Sequence, residues 1–253
     1  MKLTYDQKKH FFEHGYVVVP GVVPPVMVDS AVKAINHSLG QEGIDPAQLT
    51  KFRAQSYCPE VTNSPEITGL FNATPASALV ESVIGEGCLL PVTGCQIALR
   101  FPGYADPPNP SKPHLDGMYS PTNGMKEGTI MNFTALVGVM LSDLPTPYAG
   151  NFMVWPGTHR IFEKYFQEHG PQALLEGMPK VDMPEPVGVT ARAGDIVIAH
   201  YMLGHSASPN VSAHVRYACF FRLWHKDQKR DSLETMTDIW KFWPGIRETF
   251  SAP

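Results

Sequence analysis

From Leu89 onward the chain gives up helical periodicity for short apolar segments separated by turn formers. The segments read as strands at Leu89–Val92, Gln96–Phe101, His114–Met118, Asn132–Leu141, Asn151–Trp155, Val187–Thr190, Asp195–His200 and Val215–Leu223. Eight or so short strands predict a mainly β fold, a double-stranded β-helix or jelly roll, with α-helices on its flanks. The 24 prolines and 21 glycines suit that many turns. Upstream, Thr4 is placed to cap a helix running to about His14, and Gly15 ends it before a strand at Tyr16–Pro20. Pro24 and Pro25 start a helix through about Leu39, and Ser77–Ile84 forms another. Residues 40–75 are rich in turn formers, so loops and one short helix are expected there. The organisation is one domain over 1–253: a helical part to about 88, a jelly-roll core over about 89–225, and a tail over 226–253.

Two segments interrupt the core. Gly103–Pro113 is proline-rich and is expected to be a loop over the site mouth or a stiff connector. Arg160–Pro186 is expected to hold a helix around Phe162–His169. The tail carries Ile239, Trp240, Phe242 and Trp243, read as an aromatic anchor on the core, with a homodimer contact as the alternative.

Composition narrows the partners. A formal net charge of −4 leaves no electrostatic footprint for nucleic acid. Apolar runs such as Ala135–Leu141 are too short to span a bilayer, and the polar N-terminus does not resemble a secretory signal. The four cysteines (Cys58, Cys88, Cys95, Cys219) form no Cys-x-x-Cys pair, so a zinc knuckle is not expected and a reduced, cytoplasmic setting is.

Chemistry concentrates in a few residues. On a strand, His114 and Asp116 share a face, because side chains alternate with period two. A second imidazole from the Gly194–His205 segment, at His205 or at its rival His200, completes a two-His, one-carboxylate set. Such a facial triad holds non-haem Fe(II) and leaves positions open for substrates and O2. Arg216 sits eleven residues after His205, just before an apolar run, placed to take the distal carboxylate of a keto acid with its planar fork.

Four blocks carry a family resemblance. They are Phe11–Val19 (FFEHGYVVV), His114–Tyr119 (HLDGMY), Leu141–Asp143 with Gly150–Arg160 (LSD and GNFMVWPGTHR), and Gly194–Arg216 with Asn210 between the histidine and the arginine. In order and spacing they resemble the phytanoyl-CoA dioxygenase-like family of Fe(II)/2-oxoglutarate-dependent oxygenases, over about Tyr5 to Trp224.

The resemblance implies His205 as the distal ligand, since the family places that histidine eleven residues before the arginine; His200 then belongs to the core. It implies metal ligands His114, Asp116 and His205, with Arg216 completing the catalytic set as the 2-oxoglutarate anchor. Gln96, Leu99 and Asn132 are expected to line the cavity and contact the co-substrate. The family often sets a hydroxyl two residues after the distal histidine, where this chain has Ala207 between Ser206 and Ser208. His159 in the Pro-Gly-Thr-His turn is read as structural, His214 and His225 as surface or strand-end residues. The implied reaction is hydroxylation of an unactivated C–H bond of a small organic substrate, with 2-oxoglutarate and O2 consumed and succinate and CO2 released. A carboxylate at Asp116 favours hydroxylation, or desaturation or ring closure, over halogenation, because related halogenases carry Gly or Ala there. Tyr104, Met118, Tyr119 and Trp155 are expected at the mouth and hint at a partly apolar substrate, while Lys51 and Arg53 are candidates to meet an anionic group. A cupin-type metalloenzyme that uses no keto acid would not need Arg216. A non-catalytic binding module would need neither motif.

Overall fold

The computed structural model describes residues 1–103 and 111–250, so Tyr104 and most of the proline-rich loop lie outside the described residues. Among the described residues, eight strands form two antiparallel sheets. The larger sheet has the order β1 (Tyr16–Val19), β6 (Ile196–His200), β3 (Ala135–Met140), β8 (Arg216–Leu223) and β2 (Gln96–Arg100). The smaller has β5 (Val187–Gly188), β4 (Phe152–Val154) and β7 (His205–Ala207). This is the expected jelly-roll class with flanking helices.

Two adjacent residues of β8 show how the layers stack. Phe221 faces outward to Phe71 of helix α4 (Pro65–Asn72), with ring centroids 5.6 Å apart. Phe220 faces the other way, to Phe152 of β4, at 5.4 Å. Helices thus cover one face of the large sheet and the small sheet lies against the other. With both faces covered, β3 and β6 are buried at every position, which is why they read as unbroken apolar runs rather than alternating ones. Each fully buried side chain of this kind is worth roughly 1.5–3 kcal/mol.

Helix α1 (Tyr5–His14) begins with a capping box: Thr4 Oγ1 accepts from Gln7 N–H while the Gln7 side chain accepts from Thr4 N–H. Gly15 ends it with φ +80°, where a Cβ would come within 2.6 Å of His159 Nδ1. Helices α2 (Pro25–Glu42) and α5 (Ala76–Ile84) lie near their expected spans. Residues 40–75 are more helical than expected, with α3 (Leu49–Ala54), α4 and two 3-10 turns. The prolines there start helices instead of breaking them: Pro46, Pro59 and Pro65 each occupy the first turn, where the missing N–H costs nothing.

Several expected strands shrink. At Leu89–Val92 only Leu89 pairs, with His225, and Pro91 has no N–H to continue the ladder. The expected strand His114–Met118 is a single bridge at His114. The segment thought to carry His205 to the site ends its strand at His200; the chain then turns and begins β7 in the other sheet. Helix α6 (Thr158–His169) falls where a helix was expected.

The tail packs on the core as an aromatic anchor. Trp243 lies 4.8 Å from Phe11 and is stacked on His200 at 5.4 Å, and Trp240 packs on Phe11, Phe12 and His159. Helix α7 (Pro244–Phe250) closes it. Among the described residues no helix is long and apolar enough to cross a membrane.

Candidate metal centre and its cavity

The distal ligand and the first ligand meet through backbone. His114 N–H donates to His205 O at 3.0 Å and His205 N–H donates to His114 O at 3.2 Å, a lone antiparallel bridge that sets the two rings 4.5 Å apart. Asp116 arrives by a turn, not by strand alternation. Leu115 is buried, and Gly117 turns the chain with φ +93°, a position where a Cβ would lie 1.8 Å from Met131 O. The result matches the expectation from period two, by a different device.

One ligand atom from each of His114, Asp116 and His205 lies within 4.8 Å of the others, a group that can hold a metal ion. Asp116 Oδ1 sits 3.5 Å from His114 Nε2 and 3.6 Å from His205 Nε2. His205 Nδ1 donates to Leu203 O at 2.9 Å, which leaves Nε2 as the free lone pair toward the centre. This carbonyl is the orienting partner that the sequence did not identify.

The carboxylate is ionised. Burial opposes its charge, but the Arg222 guanidinium, followed by both imidazoles, outweighs burial and holds Asp116 well below the usual carboxylate range. Arg222 Nε donates to Asp116 Oδ2 at 3.0 Å, and Nη2 approaches the same oxygen at 2.9 Å. Half of the His114 side-chain surface stays accessible, yet desolvation, helped by the neighbouring His205, lowers its pKa and favours the neutral ligand form.

These residues line a cavity of about 770 Å³, a size typical of small-molecule sites. Arg216 lines it too, on the face of β8 that it shares with Phe220 and Arg222. Arg216 is 4 % exposed; Nη1 donates to Ala98 O at 3.1 Å, and Nε has no partner among the described residues. Burial, then the charge of Arg100 directly across the strand pair, pushes Arg216 down to about 9. No carboxylate among the described residues pairs with it. An unpaired buried guanidinium facing a cavity is a site waiting for an anion. The two imidazoles and one carboxylate suit a divalent metal with open positions, and the unpaired arginine suits a keto acid beside it.

Of the other expected residues, Gln96 lines the cavity, with Oε1 accepting from Arg222 Nη2 at 3.2 Å. Leu99 borders it but is 2 % exposed, on the face of β2 opposite Gln96. Asn132 is not brought there. It is wholly buried beneath the C-terminal segment, where its amide nitrogen donates to Ser232 O and its Oδ1 accepts from Gln228 Nε2 at 2.9 Å. Ser206 and Ala207 border the cavity, and Ser206 Oγ has no partner among the described residues; Ser208 Oγ is turned to Pro209 O. Met118, Tyr119 and Arg53 line the cavity, but Trp155, which is buried, and Lys51, which is exposed, do not.

His200 and His159 are core residues, and His214 is exposed. His225 follows the end of β8 and is buried, stacked on Phe242. The residue missed by sequence reasoning is Arg222. Its signal was available: it lies six residues after Arg216, on the same strand face, inside an otherwise apolar run.

A family model described as Phytanoyl-CoA dioxygenase (PhyH) matches residues 11–218. No curated protein matches the chain. Among solved structures, HygX from Streptomyces hygroscopicus, with nickel, 2-oxoglutarate and hygromycin B bound, is 18 % identical with TM-score 0.57, covering 90 % of this chain and 90 % of its own. The non-heme alpha ketoglutarate dependent carbocyclase SnoK from nogalamycin biosynthesis is 21 % identical with TM-score 0.54, covering 92 % of this chain and 88 % of its own. The epimerase SnoN, in complex with Fe3+, alpha ketoglutarate and nogalamycin RO, is 21 % identical with TM-score 0.53, covering 87 % of this chain and 82 % of its own. At these identities the likeness is one of fold.

Proposed function

Because the chain belongs to the phytanoyl-CoA dioxygenase family, we propose that it is an Fe(II)- and 2-oxoglutarate-dependent oxygenase of a small organic substrate. His114, Asp116 and His205 hold the metal, and Arg216 takes the distal carboxylate of 2-oxoglutarate. The observation that carries this reading is the pairing of a three-ligand cluster with an unpartnered buried arginine in one cavity. A cupin-type enzyme without a keto acid, or a binding module, gives that arginine no occupant.

When bound, Fe(II) with 2-oxoglutarate and O2 supplies the oxidising chemistry, which we assign to hydroxylation of an unactivated C–H bond with release of succinate and CO2. The chain's residues supply placement. The Leu203 carbonyl fixes the His205 tautomer, Arg222 orients Asp116, and Arg216 lets the keto acid dock in one direction. Phe152 and Phe220 wall the cavity against water. Met118, Met125 and Met131 give the substrate region an adaptable apolar lining, in keeping with a partly apolar substrate. The carbocyclase and epimerase among the structural neighbours indicate that this fold serves several outcomes. Asp116 fills the position a halide would need, which favours hydroxylation over halogenation. The N-terminal helices, the sheets and the tail share one apolar core, which supports reading the chain as one catalytic domain.

The test is succinate formation from 2-oxoglutarate with Fe(II) and ascorbate, in the presence of a substrate panel. Metal-dependent succinate in the wild type, lost in His205→Ala, is the expected result. Succinate that persists in His205→Ala contradicts the assignment.

A further inference from the structure

Arg222 holds one oxygen of Asp116 and leaves the other alone. Its Nε and Nη2 both converge on Oδ2, at 3.0 and 2.9 Å, while Oδ1 faces the two imidazole nitrogens at 3.5 and 3.6 Å. The guanidinium is itself held in place. Its Nη2 also donates to Gln96 Oε1 at 3.2 Å, and Gln96 Nε2 donates to Arg53 O at 3.3 Å, in the last turn of α3. A chain of polar contacts therefore runs from the helix at the cavity mouth to the carboxylate at the centre.

Carboxylates bind metals through one oxygen or through both. A second oxygen on the metal consumes a position that a chelating keto acid and one further ligand together require. From this geometry we infer that Arg222 is a positioning residue: by occupying Oδ2 it restricts Asp116 to one metal-facing oxygen and keeps three coordination positions open. Arginine suits the task, since two N–H groups of one rigid plane reach a single oxygen, which a flexible ammonium does less well. The inference rests on the metal assignment above and goes beyond it in giving Arg222 control over how many positions remain.

The experiment uses the full chain loaded with Mn(II) and counts exchangeable metal-bound waters by water-proton relaxation, before and after adding 2-oxoglutarate. Wild type is expected to show about three waters, and Arg222→Met about two, because the freed Oδ2 joins the metal. Mn(II) affinity should be kept in Arg222→Met, whereas 2-oxoglutarate affinity at saturating Mn(II) should fall on the order of tenfold. Arg222→Lys, which returns a cationic donor to Oδ2, should recover the third water in part. Arg222→Gln, too short to reach Oδ2, serves in place of the Met variant if that one does not fold. A folded Arg222→Met or Arg222→Gln protein that keeps about three waters overturns the inference, whatever its Tm. Failure of the wild type to bind Mn(II) at all defeats the metal assignment instead, so the two failures are distinguishable.

Discussion

Two pairs of histidines lie close together in this molecule and have opposite fates. His200 and His159 sit beneath the aromatic tail, with His200 stacked on Trp243 and Trp240 packed against both. Both nitrogens of His200 are spent on the fold: Nε2 donates to Ile239 O at 2.9 Å, and Nδ1 accepts from Met202 N–H at 3.1 Å. His159 puts Nε2 on Phe12 O at 3.2 Å, and its Nδ1, with no partner among the described residues, is shut inside the core away from the cavity. His114 and His205 each keep Nε2 free beside one carboxylate oxygen, in a cavity. His200 and His205 are only five residues apart and both are buried. What separates His200 from His205 is therefore where the second nitrogen goes, to a backbone N–H or to the cavity carboxylate, and the turn after β6 decides that by moving the chain from one sheet to the other.

The comparison breaks most visibly in activity. His205→Ala should cut metal-dependent turnover on the order of 10³-fold or more, with little change in Tm of the metal-free protein. His200→Ala should do the reverse. It leaves a void and two unpaired backbone groups at Ile239 and Met202, costing roughly 3 kcal/mol and about 10 °C in Tm, with turnover at low temperature nearly kept.

Arg216 sharpens the same contrast between groups spent on the fold and groups held open. Arg216→Met should weaken 2-oxoglutarate binding about 100-fold while leaving Mn(II) affinity intact. Without co-substrate the variant should be as stable as wild type or more stable, because an unpaired buried charge has been removed. Calorimetry and a thermal melt on one sample test both halves, and a large loss of stability would show that Arg216 serves the fold instead.

The gentlest way to separate the two pairs is pH, which acts gradually across more than two units. Burial lowers His200 to about 4, and burial followed by the charge of His200 lowers His159 well below the usual histidine range. Below pH about 6.5 the unfolded chain binds protons that these buried rings refuse, so stability present above that pH is lost as the pH falls toward 4. His200 alone accounts for roughly 3 kcal/mol over that window. Urea melts from pH 7 to 4 should show this slope, and it should flatten in His200→Asn. An unchanged slope would place the protons elsewhere.

Much of this was legible from residue types. The aromatic run in the tail announced an anchor, and the Thr4 and Gly15 punctuation set the first helix to within a residue. The His114, Asp116 and His205 cluster was legible because four blocks resemble the family in order and spacing, which chose His205 over His200; His-x-Asp alone is a weak signal. Strand alternation accounts for only part of it: His114 is pinned by a one-residue bridge, and Asp116 is delivered by a glycine turn, which a period of two does not anticipate. Proline has two opposite meanings, breaker and helix starter, and residues 40–75 used the second. Asn132 shows the deeper limit. Its partners, Gln228, Ser232 and Thr235, lie about a hundred residues away, and no local pattern separates a polar residue beside a ligand from one that ties down a tail.

The most direct measurement is an anaerobic titration of the Fe(II)-loaded protein with 2-oxoglutarate, followed by the visible charge-transfer absorption of the chelate. The account predicts that a saturable band grows in wild type and in His200→Asn, is absent in His205→Ala, and needs far more 2-oxoglutarate in Arg216→Met. A wild-type protein that binds Fe(II) but develops no such band at saturating 2-oxoglutarate would contradict it.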